Sequence, residues 1–234
     1  MLKGSVVFVK DLSLQEKDNM FELMSCYYEN TKKENFIFDL SKKYQVILLK
    51  DDDTDNIKGF STLVLYDMTI DNQNIKLLFS GDTIIDKEYW SNNNLMQVWI
   101  KNAIDLKQKS SEKLYWLLIS KGYKTYKYLS TMYNEYYPCY SKNTPEFEQK
   151  IIDKFGEIFY PNNYDKEKGL IIMNKSKDYL KEEFSKIPQS KLKDPNINFF
   201  ALKNPEFYNG NELVCITELS VDNLNKSGRR MLGI

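Results

Sequence analysis

The sequence predicts an α+β fold, a mixed helix-and-strand chain built on one mostly antiparallel sheet with helices on its flanks. Three features of the chain point there. Strand-like runs over residues 44–50, 57–68 and 75–85 follow one another through short polar turns at 51–56 and 71–74, a succession that suits antiparallel, hairpin-connected strands. A helical pattern over 93–109 then intervenes before the apolar run KLYWLLIS at 113–120, and a helix between two strands is how a chain crosses over to a parallel neighbour. Finally, 234 residues that are 42% apolar and 14% aromatic can bury a large core.

Taken in order, residues 5–9 read as a short apolar strand. Ser13 and Glu16 form a capping box, with the hydroxyl at N-cap and the carboxylate three residues on. The helix it opens sets Leu14, Phe21, Met24 and Tyr28 on one face, and a second short helix over 34–42 turns Phe36, Ile37 and Leu40 inward. Asp51, Asp52 and Asp53 lack the spacing of a calcium loop and read as a solvated hairpin tip. The 93–109 helix repeats its apolar positions through Leu95, Val98, Trp99, Ala103, Ile104 and Leu106. A tyrosine-rich helix over 122–137 ends before Pro138.

All six prolines fall between Pro138 and Pro205, so the texture changes there. The division expected is a core over 1–137 and an extension over 138–234, whose late strands at 170–173 and 212–219 complete the sheet within one compact domain. Thr144 followed by Pro145 reads as an N-cap with proline at N1. The helix beyond it carries Phe147, Ile151 and Phe155 on one face, with Gly156 as its stop. Residues 175–209 read as a polar excursion with a helical portion at 179–186.

Composition excludes several function classes. Histidine is absent, which removes imidazole-based nucleophilic schemes and the commonest transition-metal ligand, so any base is a carboxylate, lysine, tyrosine or relayed water. No metal is expected. Arginine occurs only at Arg229 and Arg230, leaving lysines and backbone N–H groups to meet phosphate. Lysine plus arginine equal aspartate plus glutamate at 33 each, so no net charge draws the chain to nucleic acid or to a membrane surface. Lys121, Lys124 and Lys127 interleave with tyrosines, but on a neutral chain they read as a solvated helix face or a contact for a cofactor phosphate. The mean hydropathy of −0.55 and the short apolar N-terminus point to no spanning helix and no secretory leader. Cys26, Cys139 and Cys215 are few and widely spaced, which points to free thiols and a cytoplasmic setting.

The element order resembles the GNAT family of N-acetyltransferases. YQVILLKD, NIKGFSTLVLYDM, NIKLLFSGDTII, NNLMQVWIKNAIDL and KLYWLLIS with GYKTYKYL carry the resemblance, which spans roughly residues 5–137. It implies that the 75–85 and 114–120 strands run parallel and splay apart, leaving a gap for the pantetheine arm of acetyl-CoA or another acyl-CoA. It further implies cofactor contacts at Thr83, Ile84 and Ile85, and at Ser91, Asn92 and Asn93 where a helix N-terminus would face the pyrophosphate. The family's Q/R-x-x-G-x-G/A turn is missing here. YWSNNNL stands in its place, which reads either as a capped helix with Trp90 packed beneath or as an anion site built from asparagines.

For chemistry, the resemblance implies direct transfer to a primary amine. Asp82, an acid within an apolar strand at the splay, is the candidate base; the alternative is a hydrogen-bonded aspartate beside a bulge at Gly81. A tyrosine early in the following helix would protonate the thiolate, Tyr126 first and Tyr128 second, although aromatics at helical spacing also serve as core. The acceptor is a small molecule or a protein amine, and a homodimer is left open. The rival reading is a GNAT-shaped binding or assembly module without catalysis.

Overall fold

The computed structural model describes residues 2–234. The chain opens with β1 (Leu2–Phe8), α1 (Leu14–Tyr27), the short β2 (Tyr28–Glu29) and α2 (Lys33–Ser41). The meander follows as β3 (Gln45–Asp51), β4 (Ile57–Ile70) and β5 (Gln73–Ile85), then α3 (Asn94–Gln108), β6 (Lys113–Ser120) and α4 (Tyr123–Met132). The remainder holds α5 (Glu146–Phe159), β7 (Tyr164–Asp165), β8 (Leu170–Ile171), β9 (Tyr179–Leu180), α6 (Glu182–Ser185), α7 (Pro195–Lys203), β10 (Glu212–Glu218) and α8 (Lys226–Leu232).

Eight strands form one sheet in the order β1-β3-β4-β5-β6-β10-β8-β7. Every neighbouring pair is antiparallel except β5 and β6, which run parallel after the α3 crossover. Alternation along β3 divides its side chains between two layers. Val46 and Leu48 pack with Met20, Leu23, Phe36 and Leu40 of α1 and α2, while Ile47 and Leu49 join Trp99 and Ala103 of α3. Helices therefore cover both faces.

Local signals explain most element ends. The Ser13–Glu16 capping box forms, its hydroxyl accepting from Glu16 N–H at 3.1 Å. The buried stripe of α1 is Met20, Leu23, Met24 and Tyr27, whereas Leu14 precedes that stripe at 81% exposed and Tyr28 has already left the helix as β2. The 122–137 helix is shorter than its composition predicts. It stops at Met132 because the next backbone groups pair elsewhere: Asn134 N–H donates to Asn223 and Tyr137 N–H to Ile216. Pro145, not Thr144, is the N-cap of α5, and Glu146 and Glu148 in the first turn favour the helix dipole. Gly156 lies inside α5 rather than at its end; the ring of Tyr164 packs so close that an added Cβ would sit 2.4 Å from it.

The 175–209 stretch has more structure than a polar excursion. β9 pairs with β2, Tyr28 opposite Leu180, and Lys181 N–H donates to the Tyr27 carbonyl. Asp194 caps α7 through Asn196 N–H at 2.9 Å, with Pro195 at N1. Among the described residues no helix is long and apolar enough to cross a membrane.

One irregularity shapes the sheet. Along β4 and β5, Ser61 faces Thr83 and Leu63 faces Ser80, so two residues, Gly81 and Asp82, stand opposite Thr62 alone. That is a β-bulge in β5. A Cβ on Gly81 would lie 2.7 Å from Thr62 Oγ1, a buried hydroxyl without a hydrogen-bond partner. Gly81→Ala is expected to cost about 1–3 kcal/mol from overpacking. Adding Thr62→Ala, which removes the clashing and unpaired oxygen, should recover most of that loss in urea unfolding. Equal stability of the single and double variants would mean that the bulge is not packed this way.

Candidate active-site cleft

The parallel pairing of β5 with β6 runs from Ile75–Lys113 to Ser80–Leu118 and stops there. Trp116 Nε1 donates to Ser80 Oγ at 2.7 Å across this last paired stretch, and Trp116 packs on Trp99, ring centres 4.2 Å apart. Beyond it the strands follow different partners. The bulge keeps Thr83–Ile85 on β4, while Ile119 and Ser120 pair with Val214 and Leu213 of β10. Asp86 N–H donates to the Lys58 carbonyl of β4, so by alternation Ile84 also faces β4 and the backbone groups of Thr83 and Ile85 turn towards the gap.

A cleft of about 700 Å³ opens at this gap. Its walls come from both faces of the sheet: Tyr27, Tyr28 and Asp39 on the α1–α2 side, Asn93 and several α4 residues on the other. At one end stands Trp90, 44% exposed. Its indole Nε1 donates to the Ile85 carbonyl at 2.8 Å, its ring lies beside Tyr27 and Phe184, and Lys124 Nζ sits 3.1 Å from the ring centre. One gap-facing acceptor is therefore already held by a side chain.

The floor is charged. Lys121, at the end of β6, is ion-paired with Asp178 and lies 3.6 Å from Glu212 at the start of β10. Asp178 reaches this place because the β2–β9 pairing ties its segment to the end of α1. Burial opposes the charge on Lys121, but Glu212 and Asp178 outweigh it and hold the ammonium well above its ordinary range. Burial pushes the Glu212 carboxyl up to about 7, with Lys121 pulling the other way. Asp82 is half-buried; desolvation, then the nearby Asp178, raises its carboxyl, while Lys121 and Lys43 oppose them. No hydrogen bond to the Asp82 carboxyl is made among the described residues. Burial likewise raises the phenol of Tyr28, which lines the same floor. Lys121, with Lys43 near Asp82 and Lys177 near Glu212, opposes the rise that burial imposes on these carboxyls.

No family model matches the sequence, and no curated protein does either. A probable N-acyltransferase from Enterococcus faecalis V583 is similar in structure at 16% identity, over 57% of this chain and 33% of its own, with a TM-score of 0.42. A Trypanosoma brucei acetyltransferase matches at 13% identity over 62% of this chain and 98% of its own, TM-score 0.41. A GNAT-family acetyltransferase from Staphylococcus aureus Mu50 matches at 16% identity over 62% and 91%, TM-score 0.39. This chain spans only a third of the Enterococcus protein's length. None of these scores carries an argument by itself; the strand order and the bulge that parts β5 from β6 do. The fold is GNAT-like.

Within this GNAT-like cleft, Asp82, Thr83, Ile84, Ile85, Asn93 and Tyr128 all line the wall. Tyr126 does not. It is fully buried among Tyr136, Phe199 and Phe200, and its hydroxyl donates to the Pro138 carbonyl at 2.9 Å, so it is a packing residue. Ser91 and Asn92 also stand outside the wall; the Asn92 side chain accepts from Asn94 N–H at 2.7 Å at the start of α3, whose N-cap, Asn93, makes no side-chain cap bond. Trp90 packs at the cleft mouth rather than beneath the helix. Glu212 and Asp178 escaped the sequence reading, which took Lys121 for a solvated helix face or a contact for a cofactor phosphate and Tyr28 for the face of the first helix. Glu212 alone carried a signal, an acid opening the apolar run LVCI. Among the described residues no group of histidine, cysteine and acidic side chains has metal-binding geometry.

Removing the buried cation tests this electrostatic account. Lys121→Met should destabilise the fold by about 3–5 kcal/mol at pH 8, where the acids it leaves behind are ionised. The loss should shrink at pH 5, because a carboxyl raised to about 7 is protonated there and needs no counter-ion. Guanidinium unfolding at the two pH values measures the difference, and a loss independent of pH would contradict the cluster.

Proposed function

We propose that this chain is an acyl-CoA-dependent N-acyltransferase that moves its acyl group directly to a primary amine. The observation that carries the reading is the gap itself: two parallel strands parted by a bulge, with the backbone of Thr83 and Ile85 turned into the opening. An extended chain bearing amides can add to that edge as a further strand would. The residues present fit such an arm. Thr83 and Ile85 offer backbone groups, and Lys124 and Lys191, which also line the cleft and have no carboxylate ion pair among the described residues, can meet its phosphates. When bound, acyl-CoA supplies an acyl carbon activated by a thiolate leaving group.

The chain's own residues do the rest. Asp82, unpaired and raised, takes the proton that the amine loses as its nitrogen bonds to the acyl carbon. Tyr128 returns a proton to the departing sulfur; burial raises its phenol, so it stays protonated as a donor. Asp178, opposed by Lys121 and Lys43, sets the field around Asp82. Holding amine and thioester in one cleft supplies much of the remaining acceleration.

A second reading, a GNAT-shaped binding module without turnover, is favoured by one specific contact. The Trp90 indole already holds the Ile85 carbonyl. Calorimetry with acetyl-CoA and longer acyl-CoAs separates the outcomes: binding with thiol release supports the enzyme, binding without release the module, and no binding of any thioester or of free CoA removes both. For the enzyme, Asp82→Asn should lower kcat by about 10²–10⁴-fold.

The pH dependence follows from the raised carboxyls. A base works only when ionised, so kcat/KM should fall on the acid side as Asp82, its carboxyl raised above the ordinary range by desolvation and by Asp178, takes up its proton. Glu212→Gln should alter the position of that limb while Asp82→Asn removes it. A profile with no acid-side limb would contradict the assignment of Asp82 as the base.

A further inference from the structure

A second cavity, of about 350 Å³, reaches Asp82 from the other side. It lies between α1, α2 and the segment before β9, and shares Asp39, Asp82, Lys177 and Asp178 with the main cleft. Its charges are sorted by depth. At the inner end stand the half-buried carboxyls of Asp82 and Asp178. At the outer rim stand the exposed Lys32, Lys42 and Lys177. Asn30, Thr31, Asn35 and Ser176 add neutral polar groups to the lining. The rim acid Asp39 is answered by Lys42 at 3.8 Å, while Lys32 and Lys177 are ion-paired with no carboxylate among the described residues.

We infer that the acceptor is a small zwitterion, a primary amine carrying a carboxylate, which enters this cavity amine first. The inference rests on the acyltransferase reading and names its substrate class. An ammonium group is drawn to Asp82 and Asp178, where Asp82 can take its proton. A carboxylate trailing behind meets Lys32 and Lys177, charges ion-paired with no carboxylate among the described residues. A diamine would place its second cation against those lysines, and like charges at a half-desolvated rim cost binding. An amine with a neutral tail would leave the lysines unanswered.

Three amines of equal length test the order: 4-aminobutanoate, 4-aminobutan-1-ol and 1,4-diaminobutane. Calorimetry on the whole chain, with acetyl-CoA binding titrated separately, keeps the two questions apart. Failure of acetyl-CoA to bind sinks the acyltransferase reading, whatever the amines do. The expected result is that 4-aminobutanoate binds at least about ten-fold more tightly than the diamine, with the alcohol between them. In the Lys32→Glu/Lys177→Glu variant, both changes being at exposed positions, the order should reverse in favour of the diamine. A diamine that binds wild type as well as 4-aminobutanoate does, or an order unchanged in the charge-reversed variant, overturns the inference.

Discussion

One extra residue in β5 sets the character of this molecule. An antiparallel pair in perfect register would carry β5 straight on beside β6 and close the sheet. The bulge opposite Thr62 breaks that register and bends the strand, and β6 is simultaneously drawn to β10. Hydrogen bonding is satisfied for both strands by their outer partners, so the space between them can stay open with its backbone groups facing inward. Without the bulge the same side chains would make an ordinary closed sheet, and neither Asp82 nor the ends of β6 and α4 would border a cavity.

The charged floor depends on that opening in a second way. Lys121 ends β6, Glu212 begins β10, Asp82 sits in the bulge and Asp178 arrives from the far side of the molecule. Such a cluster is costly to bury, and a protein that only needed stability would do as well with apolar side chains. In a chain that has no histidine, burial raises the Asp82 and Glu212 carboxyls while Lys121 opposes that rise. The two-residue clasp of β2 and β9 is the device that completes the set, since it fixes Asp178 beside Lys121.

Much of the fold is legible in the chain because its signals are local. The meander declares itself through short polar turns, the crossover through helical spacing before KLYWLLIS, and α1 through its capping box. The bulge was visible as the pair Gly81-Asp82 inside an apolar run. Where local signals competed with tertiary ones the reading slipped. The tyrosines after Gly122 continue a helical pattern, yet the backbone of 133–137 gains more by pairing with the chain near Ile216 and Leu224. Gly156 has the look of a helix stop, but it is a glycine because a tyrosine ring rests on it. Tyr126 has the position of a catalytic acid and the surroundings of a core residue.

By itself the sequence determined the class of fold and the parallel crossover, which follow from periodicity and turn chemistry acting over a few residues; the place where the sheet parts was implied only by the resemblance to the GNAT family. Only the tertiary structure decided which tyrosine faces the cleft, that Trp90 stands at its mouth, and that Lys121, Asp178 and Glu212 meet. Those outcomes depend on contacts between residues as many as 154 positions apart (27 and 181), and the pull of a buried charge on another is set by distance and desolvation, neither of which is written along the chain.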